Sequence, residues 1–318
     1  MKKFISFFMP LALILLCGCN NNQENRDTRF LFDTVVTLTA DCNDEVLSGA
    51  FSLCDTYENM LSRTKKNSDI YRINKESVPV KVSDDTLKII EKSLYYSDLS
   101  GGKFDITVCS VSELWDFNNE VIPSKDEIAE ALKNVDYHSI TVDGNNVYTA
   151  GKKIDLGGIA KGYIADRLLE YFKSKDTKKG IINLGGNIVV FGDKDYNIGI
   201  KKPFSENETA ITVTIRNKSI VTSGIYERYI KKDGVIYHHI LDPKTGYAVK
   251  TDLSSATVIS DSSLDGDALA TVCVLEGKAK AVELIESIKD TEAVFIDTNG
   301  NISYTSGLTR KDNTVTLK

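Results

Sequence analysis

The sequence predicts one mixed α/β domain running from about Arg29 to the C-terminus. Strand-like and helix-like stretches alternate too irregularly for a doubly wound parallel sheet. No internal repeat, low-complexity run or Pro/Gly-rich linker divides the chain after Asp27. A length of 318 residues, 42% of them hydrophobic and 26% charged, is enough for a sizeable core.

Lys2 and Lys3 precede an apolar run from Phe4 to Cys17. That run is shorter than the roughly 20 residues needed to span a bilayer, so it reads as a secretory signal rather than an uncleaved anchor. Its end, Leu16-Cys17-Gly18-Cys19, resembles a bacterial lipobox, with Cys17 where Ala or Ser is more usual. The expected organisation is a signal peptide over 1–18, a lipidated Cys19 opening a polar tether over 19–28, and the folded domain over 29–318. One acyl chain holds only marginally, at about 0.8 kcal/mol per buried CH₂, so a multiply acylated Cys19 would anchor the protein durably to the outer side of the cell membrane.

Phe30 to Ala40 is rich in Val, Thr and Phe and reads as a strand. Helical patterning follows over Asp44 to Leu61 and Ser83 to Ser97, where Leu87, Ile90 and Leu94 share a face. Ser124 to Lys133 opens on Ser and acids and closes on Lys, as capping and the helix dipole favour. Further strands are predicted at Gly180 to Leu184, Ile188 to Phe191, Asn197 to Ile200, Ala210 to Arg216, Val235 to Ile240 and Ser254 to Ile259. Helices are predicted at Ile159 to Lys173, Asp267 to Leu275 and Ala279 to Ile288.

The formal net charge is −6 and the basic residues are scattered, which argues against a nucleic-acid partner. Beyond Cys19, the cysteines are Cys42, Cys54, Cys109 and Cys273, with no CxxC pair and no Cys/His zinc spacing. They fit small buried hydrophobes better than a disulfide framework, although spacing does not decide pairing.

The strongest local feature is Asp155-Leu156-Gly157-Gly158-Ile159-Ala160-Lys161-Gly162, a strand running through two glycines into a helix. Amides at such a helix start can hold a phosphate, and Lys161 would add charge; ordinary turn chemistry explains the glycines equally well. The run matches neither common nucleotide-binding glycine signature. Asn183-Leu184-Gly185-Gly186-Asn187 is a second glycine pair, read as a hairpin turn or as backbone approaching a bulky ligand. Asp267 and Thr271, four apart at the start of a helix, project from one face and offer the hard oxygens that Mg²⁺ prefers; the bland alternative is a dipole-favouring Asp and a packed Thr. In Tyr237-His238-His239-Ile240-Leu241-Asp242-Pro243-Lys244-Thr245-Gly246, strand alternation sends the two histidines to opposite faces. One of them can take a proton near neutral pH.

Ser62-Arg63-Thr64-Lys65 and Lys244-Thr245-Gly246 match the outer two motifs of penicillin-recognising enzymes. The middle S-D-N motif is missing, since Ser68-Asp69 is followed by Ile70, and the KTG follows Asp242-Pro243 in a turn. A solute-binding lipoprotein would explain the anchor but not the ordered Asp, His and Gly motifs.

Taken together, the chain resembles the FAD:protein FMN transferase (ApbE-type) family over nearly all its length after the tether. The segments that carry the resemblance are FDTVVTL (Phe32 to Leu38), LSRTKKNSDIYRIN (Leu61 to Asn74), GGKFDITV (Gly101 to Val108), Leu114-Trp115, DLGGIAKGYIAD (Asp155 to Asp166), NLGGNI, SIVTSGIYERY (Ser219 to Tyr229), HHILDPKTGY and DALAT. The resemblance implies a T-fold-related architecture in which FAD is the substrate and Mg²⁺ lies beside its pyrophosphate. It implies metal ligands at the Gly158 carbonyl, Asp267, Thr271 and the Ala270 carbonyl. It places FAD against Phe32, Thr64, Lys103, Phe104, Asp105, Asp155, Lys161 and Leu241, with His239 as general base. The family often has Met-Gly-Thr at Phe32-Asp33-Thr34 and an aromatic near Thr64, so the flavin wall is expected to differ there. The implied acceptors are proteins with a flavinylation motif, such as subunits of sodium-translocating NADH:quinone reductase and its ferredoxin-linked relatives. The same site with water as nucleophile would be an FAD pyrophosphatase, and without chemistry a flavin-binding lipoprotein.

Overall fold

In the computed structural model, residues 24–318 are described. The signal segment and Cys19 lie outside the described residues. An eight-stranded sheet forms the middle layer, in the order Glu24–Leu31, Thr34–Asp41, Gly180–Leu184, Asn187–Phe191, Ser219–Gly224, Leu253–Ser260, Glu292–Asp297 and Ile302–Tyr304. Every neighbouring pair is antiparallel. The helices Asp44–Leu61, Ala160–Ser174, Ser263–Glu276 and Lys278–Glu286 cover one face, around a core that includes Leu38, Phe51, Leu168, Ala256 and Phe295. A four-stranded sheet of Tyr196–Lys201, Thr209–Ile215, Leu308–Lys311 and Thr314–Leu317 covers the other, around Val190, Val213, Ile259 and Val315. The strand Leu253–Ser260 is therefore buried at all eight positions. Its Ser, Ala and Thr side chains are small enough to let both layers close on it. The architecture is the expected mixed α/β, with helices segregated to one side of an antiparallel sheet.

Several local expectations need correction. Phe30 to Ala40 is a hairpin and not one strand, because Phe32 and Asp33 adopt φ of 55° and 56° and turn the chain. Residues 24–28, read as tether, already pair with Thr37 to Asp41 as an edge strand. Edge pairing draws on backbone groups and tolerates polar side chains, so composition does not reveal it. Asp267 does not start its helix: the helix begins at Ser263, capped by Ser262, whose Oγ accepts from the Asp265 amide. Gly266 reads locally as a breaker there. No strand leads into Gly157 and Gly158, which form a turn after an irregular stretch. Strand Val235–His238 stops before His239. Cys42, Cys54, Cys109 and Cys273 are all free thiols.

Two helices meet on the helical side in a way that orders the rest. Helix Ala160–Ser174 has no side-chain cap of its own. Instead its Gly162 amide donates to Asp267 Oδ2 of the other helix at 2.8 Å. In return Asp166 of the first helix accepts from the Ser263 and Leu264 amides at 2.8 and 3.0 Å, at the start of the second. Each helix thus supplies the carboxylate that satisfies the other's orphan N–H groups. A side chain at Gly162 would strike the Ser263 carbonyl oxygen and stand 2.8 Å from Asp267 Cβ. Gly162→Ala is accordingly expected to lower stability by about 1–3 kcal/mol through overpacking. Urea unfolding checks this, and an unchanged midpoint would show that the helices can part at no cost.

Candidate active site

Asp267 is 5% exposed, a buried carboxylate. Burial raises its pKa; the Lys161 charge, the Gly162 amide and the Asn187 amide oppose that rise without cancelling it. Thr271 lies one turn further along the same face, as the spacing predicts. Its Oγ1 is 3.1 Å from Ser223 Oγ and 3.4 Å from the Asp267 carbonyl. Gly158 approaches from the turn before helix Ala160–Ser174. A Cβ on Gly158 would lie 3.2 Å from the Phe104 ring and 3.8 Å from Thr271 Oγ1. Gly158, Phe104, Asp267 and Thr271 are therefore one cluster built from three separate segments. Ala270 is wholly buried on the turn between Asp267 and Thr271, so only its backbone carbonyl is a candidate.

The donor set is one carboxylate, one hydroxyl and backbone oxygens. Among the described residues no group of three or more His, Cys, Asp or Glu gathers to hold a metal by itself. Such a set fits a hard divalent cation that keeps waters or substrate oxygens in its shell, and it does not fit zinc. The buried carboxylate, short of compensating charge, is the observation that makes a cation suitable there.

Lys161, in the first turn of its helix, makes no ion pair among the described residues. Its charge is felt at Asp267 and, more weakly, at His239. The Arg228 carbonyl accepts the His239 backbone amide at 3.1 Å and lies 3.3 Å from its Nδ1. A carbonyl only accepts, so Nδ1 carries the proton and Nε2 keeps its lone pair. Phe117 packs edge to face on the ring, with centroids 6.5 Å apart. The ring is partly exposed, yet its surroundings and the Arg228 charge lower its pKa to about 3, which leaves it neutral. His238 points the other way and is 4% exposed; burial brings its pKa down to about 4.

The remaining candidates are placed less uniformly. Lys103 Nζ pairs with Glu276 at 2.7 Å, at the end of the helix that carries Asp267 and Thr271. Asp155 accepts the Gly157 amide at 2.8 Å and an ion pair from Arg63 at 3.2 Å, so it braces the glycine turn. Asp105 is committed to the Thr107 amide and hydroxyl at 2.7 and 2.6 Å and caps a short 3₁₀ turn. Phe32 donates its amide to Glu58, Thr64 is exposed beside Ser62, and Leu241 bridges to Ala248. Lys65, the lysine of the S-x-x-K match, is paired with Glu58 at 2.7 Å rather than with Ser62. Sequence reasoning meets Gly162, Ser223, Asn187 and Arg228 only as members of longer motifs and gives none of them a role of its own. A glycine inside a helical pattern is a usable signal for Gly162; the others act through contacts between distant segments.

A profile of the ApbE family matches residues 32–295. An FAD:protein FMN transferase of Klebsiella pneumoniae is 34% identical over 297 residues, covering 90% of this chain and 93% of that protein. One from Treponema pallidum is 31% identical over 288 residues, covering 82% and 80%. The crystal structure of the ApbE protein from Thermotoga maritima superposes with a TM-score of 0.82 at 30% identity, covering 89% of this chain and 97% of that one.

The two histidines give a pH test. An unfolded histidine titrates near 6.5, whereas folded His238 titrates near 4, so between these values the unfolded chain binds more protons. Its stabilising contribution is complete above pH 6.5 and is lost as the pH falls toward 4. The fall in urea midpoint between pH 7.5 and 5 should be smaller in His238→Gln than in the wild type. An identical fall in both would mean that His238 is not held neutral.

Proposed function

The chain belongs to the ApbE family, and from that membership we propose that it is an FAD:protein FMN transferase that moves FMN from FAD onto a threonine or serine hydroxyl of another protein, releasing AMP. The observation that carries this reading is the cluster in which Gly158, Phe104, Asp267 and Thr271 meet, with the Lys161 charge felt there and, more weakly, at His239. Gly158, Asp267 and Thr271, with the Ala270 carbonyl, would hold Mg²⁺. When bound, that ion would neutralise charge on the FAD pyrophosphate. His239 Nε2 takes the proton of the acceptor hydroxyl. The hydroxyl oxygen then bonds to the phosphorus of the FMN half, and the bond from that phosphorus to the AMP oxygen breaks. Lys161 and the amides of the glycine turn hold non-reacting phosphate oxygens. Phe104, packed on Gly158, gives the site an aromatic wall. Lys103, Asp105, Asp155, Phe32, Thr64 and Leu241 are assigned to FAD binding on the family resemblance.

A protein acceptor fits a lipid-anchored enzyme on the outer side of the membrane, where subunits of membrane redox complexes are the natural targets. Fractionation of cells carrying Cys19→Ser should find the protein released or unprocessed. A processed, fully membrane-bound variant would count against lipidation.

The transfer reading is tested by His239→Ala. A base is not needed for binding, so FAD affinity should stay within a few-fold while FMN transfer to an acceptor peptide drops by roughly 10² to 10⁴. His238→Ala should fall far less. Equal loss of binding and transfer would make His239 a pocket-shaping residue. Wild-type release of FMN and AMP with no acceptor modified would indicate a pyrophosphatase, and tight FAD binding with no turnover a flavin-binding lipoprotein.

A further inference from the structure

Asn183-Leu184-Gly185-Gly186-Asn187 has no role in the chemistry above, yet its geometry leads to the same carboxylate. Gly185 and Gly186 take φ of 67° and 94° and close a two-residue hairpin between Gly180–Leu184 and Asn187–Phe191. A side chain at Gly185 would collide with Thr34, so the turn is held tightly. It delivers Asn187 to the first position of its strand, where it is 1% exposed. Asn187 Oδ1 accepts from Ser263 Oγ at 2.6 Å. Its Nδ2 is buried and has no partner at full hydrogen-bond geometry among the described residues, yet it lies near enough to Asp267 to oppose the rise in that carboxyl's pKa. Ser263 and Asp267 are four apart on one helix and share a face. An amide tied to Ser263 through its oxygen therefore turns its N–H groups along that face, toward Asp267. The reverse orientation would set carbonyl oxygen against carboxylate, so the chemistry selects this one.

We propose that Asn187 is a positioning residue: its Nδ2 and the Gly162 amide grip the Asp267 carboxylate from two sides and leave one lone-pair direction of Oδ1 open to a divalent cation. This rests on the metal reading above. Asn187 acts through Asp267 and touches neither FAD nor acceptor. The glycine pair is the hairpin that brings this side chain to the helix.

The test is a titration of the purified full chain with Mn²⁺ alone, read by the electron paramagnetic resonance of free Mn²⁺, beside thermal unfolding of each variant. Asn187→Leu keeps the size and removes the donor, and should weaken Mn²⁺ binding by about 10- to 100-fold, the usual loss when a partner of a metal ligand is removed. Ser263→Ala keeps the donor but unties it, and should weaken binding by a smaller factor. A merely structural asparagine would lower the melting temperature and leave the Mn²⁺ affinity of the folded protein unchanged, which overturns the proposal. If Asn187→Leu does not fold, Ser263→Ala decides alone, and wild-type affinity in that variant overturns it equally. A wild-type chain that binds no Mn²⁺ removes the metal reading and the clamp together, whereas equal binding by wild type and both variants removes only the clamp.

Discussion

Two helices that cap each other hold this structure in register. The Ala160–Ser174 helix begins without a side-chain cap, and Asp267 reaches its Gly162 amide from the neighbouring helix. Asp166 returns the contact at the Ser263 and Leu264 amides. Orphan amides at a helix start need an acceptor, and a buried carboxylate needs donors. Here each need meets the other. The exchange is feasible only because Gly162 has no side chain, which lets the helices approach until the amide and the carboxylate are in hydrogen-bonding range.

The same contact fixes the chemistry. A carboxylate locked as a helix cap has a defined orientation, and Thr271 and Gly158 then come to lie beside it. Lys161, one residue before the capped amide, has its charge felt at Asp267 and, more weakly, at His239. The proposed base, His239, lies on a segment whose backbone and ring are both fastened to the Arg228 carbonyl. The central strand Leu253–Ser260, packed between helices on one face and a second sheet on the other, supplies the rigid floor. Preorganisation of this kind lowers the reorganisation needed as charge moves in the transition state.

Much of this is legible in the amino-acid sequence. Amphipathic periodicity predicts the long helices: Asp44–Leu61 has its expected bounds, and the capping box of Ser124 and Glu127 forms as the residue pattern suggests. Strand Gly180–Leu184 also has its predicted bounds. Alternation sends His238 inward, and it is buried. What escapes is of two kinds. Edge strand Glu24–Leu31 is polar from Glu24 to Arg29, so that stretch has no apolar alternation to detect. Buried strand Glu292–Asp297 is short and has apolar contacts on both sides, so it carries no period either. The helix before Asp267 is hidden because Gly266, a residue that packs against Ser260 and Val221, looks like a breaker when read locally.

The linear chain is enough to specify many of the local elements, the family, and which polar residues lie four apart on a helix or alternate along a strand. These follow from short-range backbone geometry, in which a side chain's direction depends on its neighbours in the chain. Tertiary packing alone buries Asp267, satisfies it with the Gly162 amide, brings Asn187 from a hairpin with a spare donor, and sets the proton of His239 through the Arg228 carbonyl. Desolvation and hydrogen-bond partnership depend on which distant segments pack together, and no local pattern of residues encodes that.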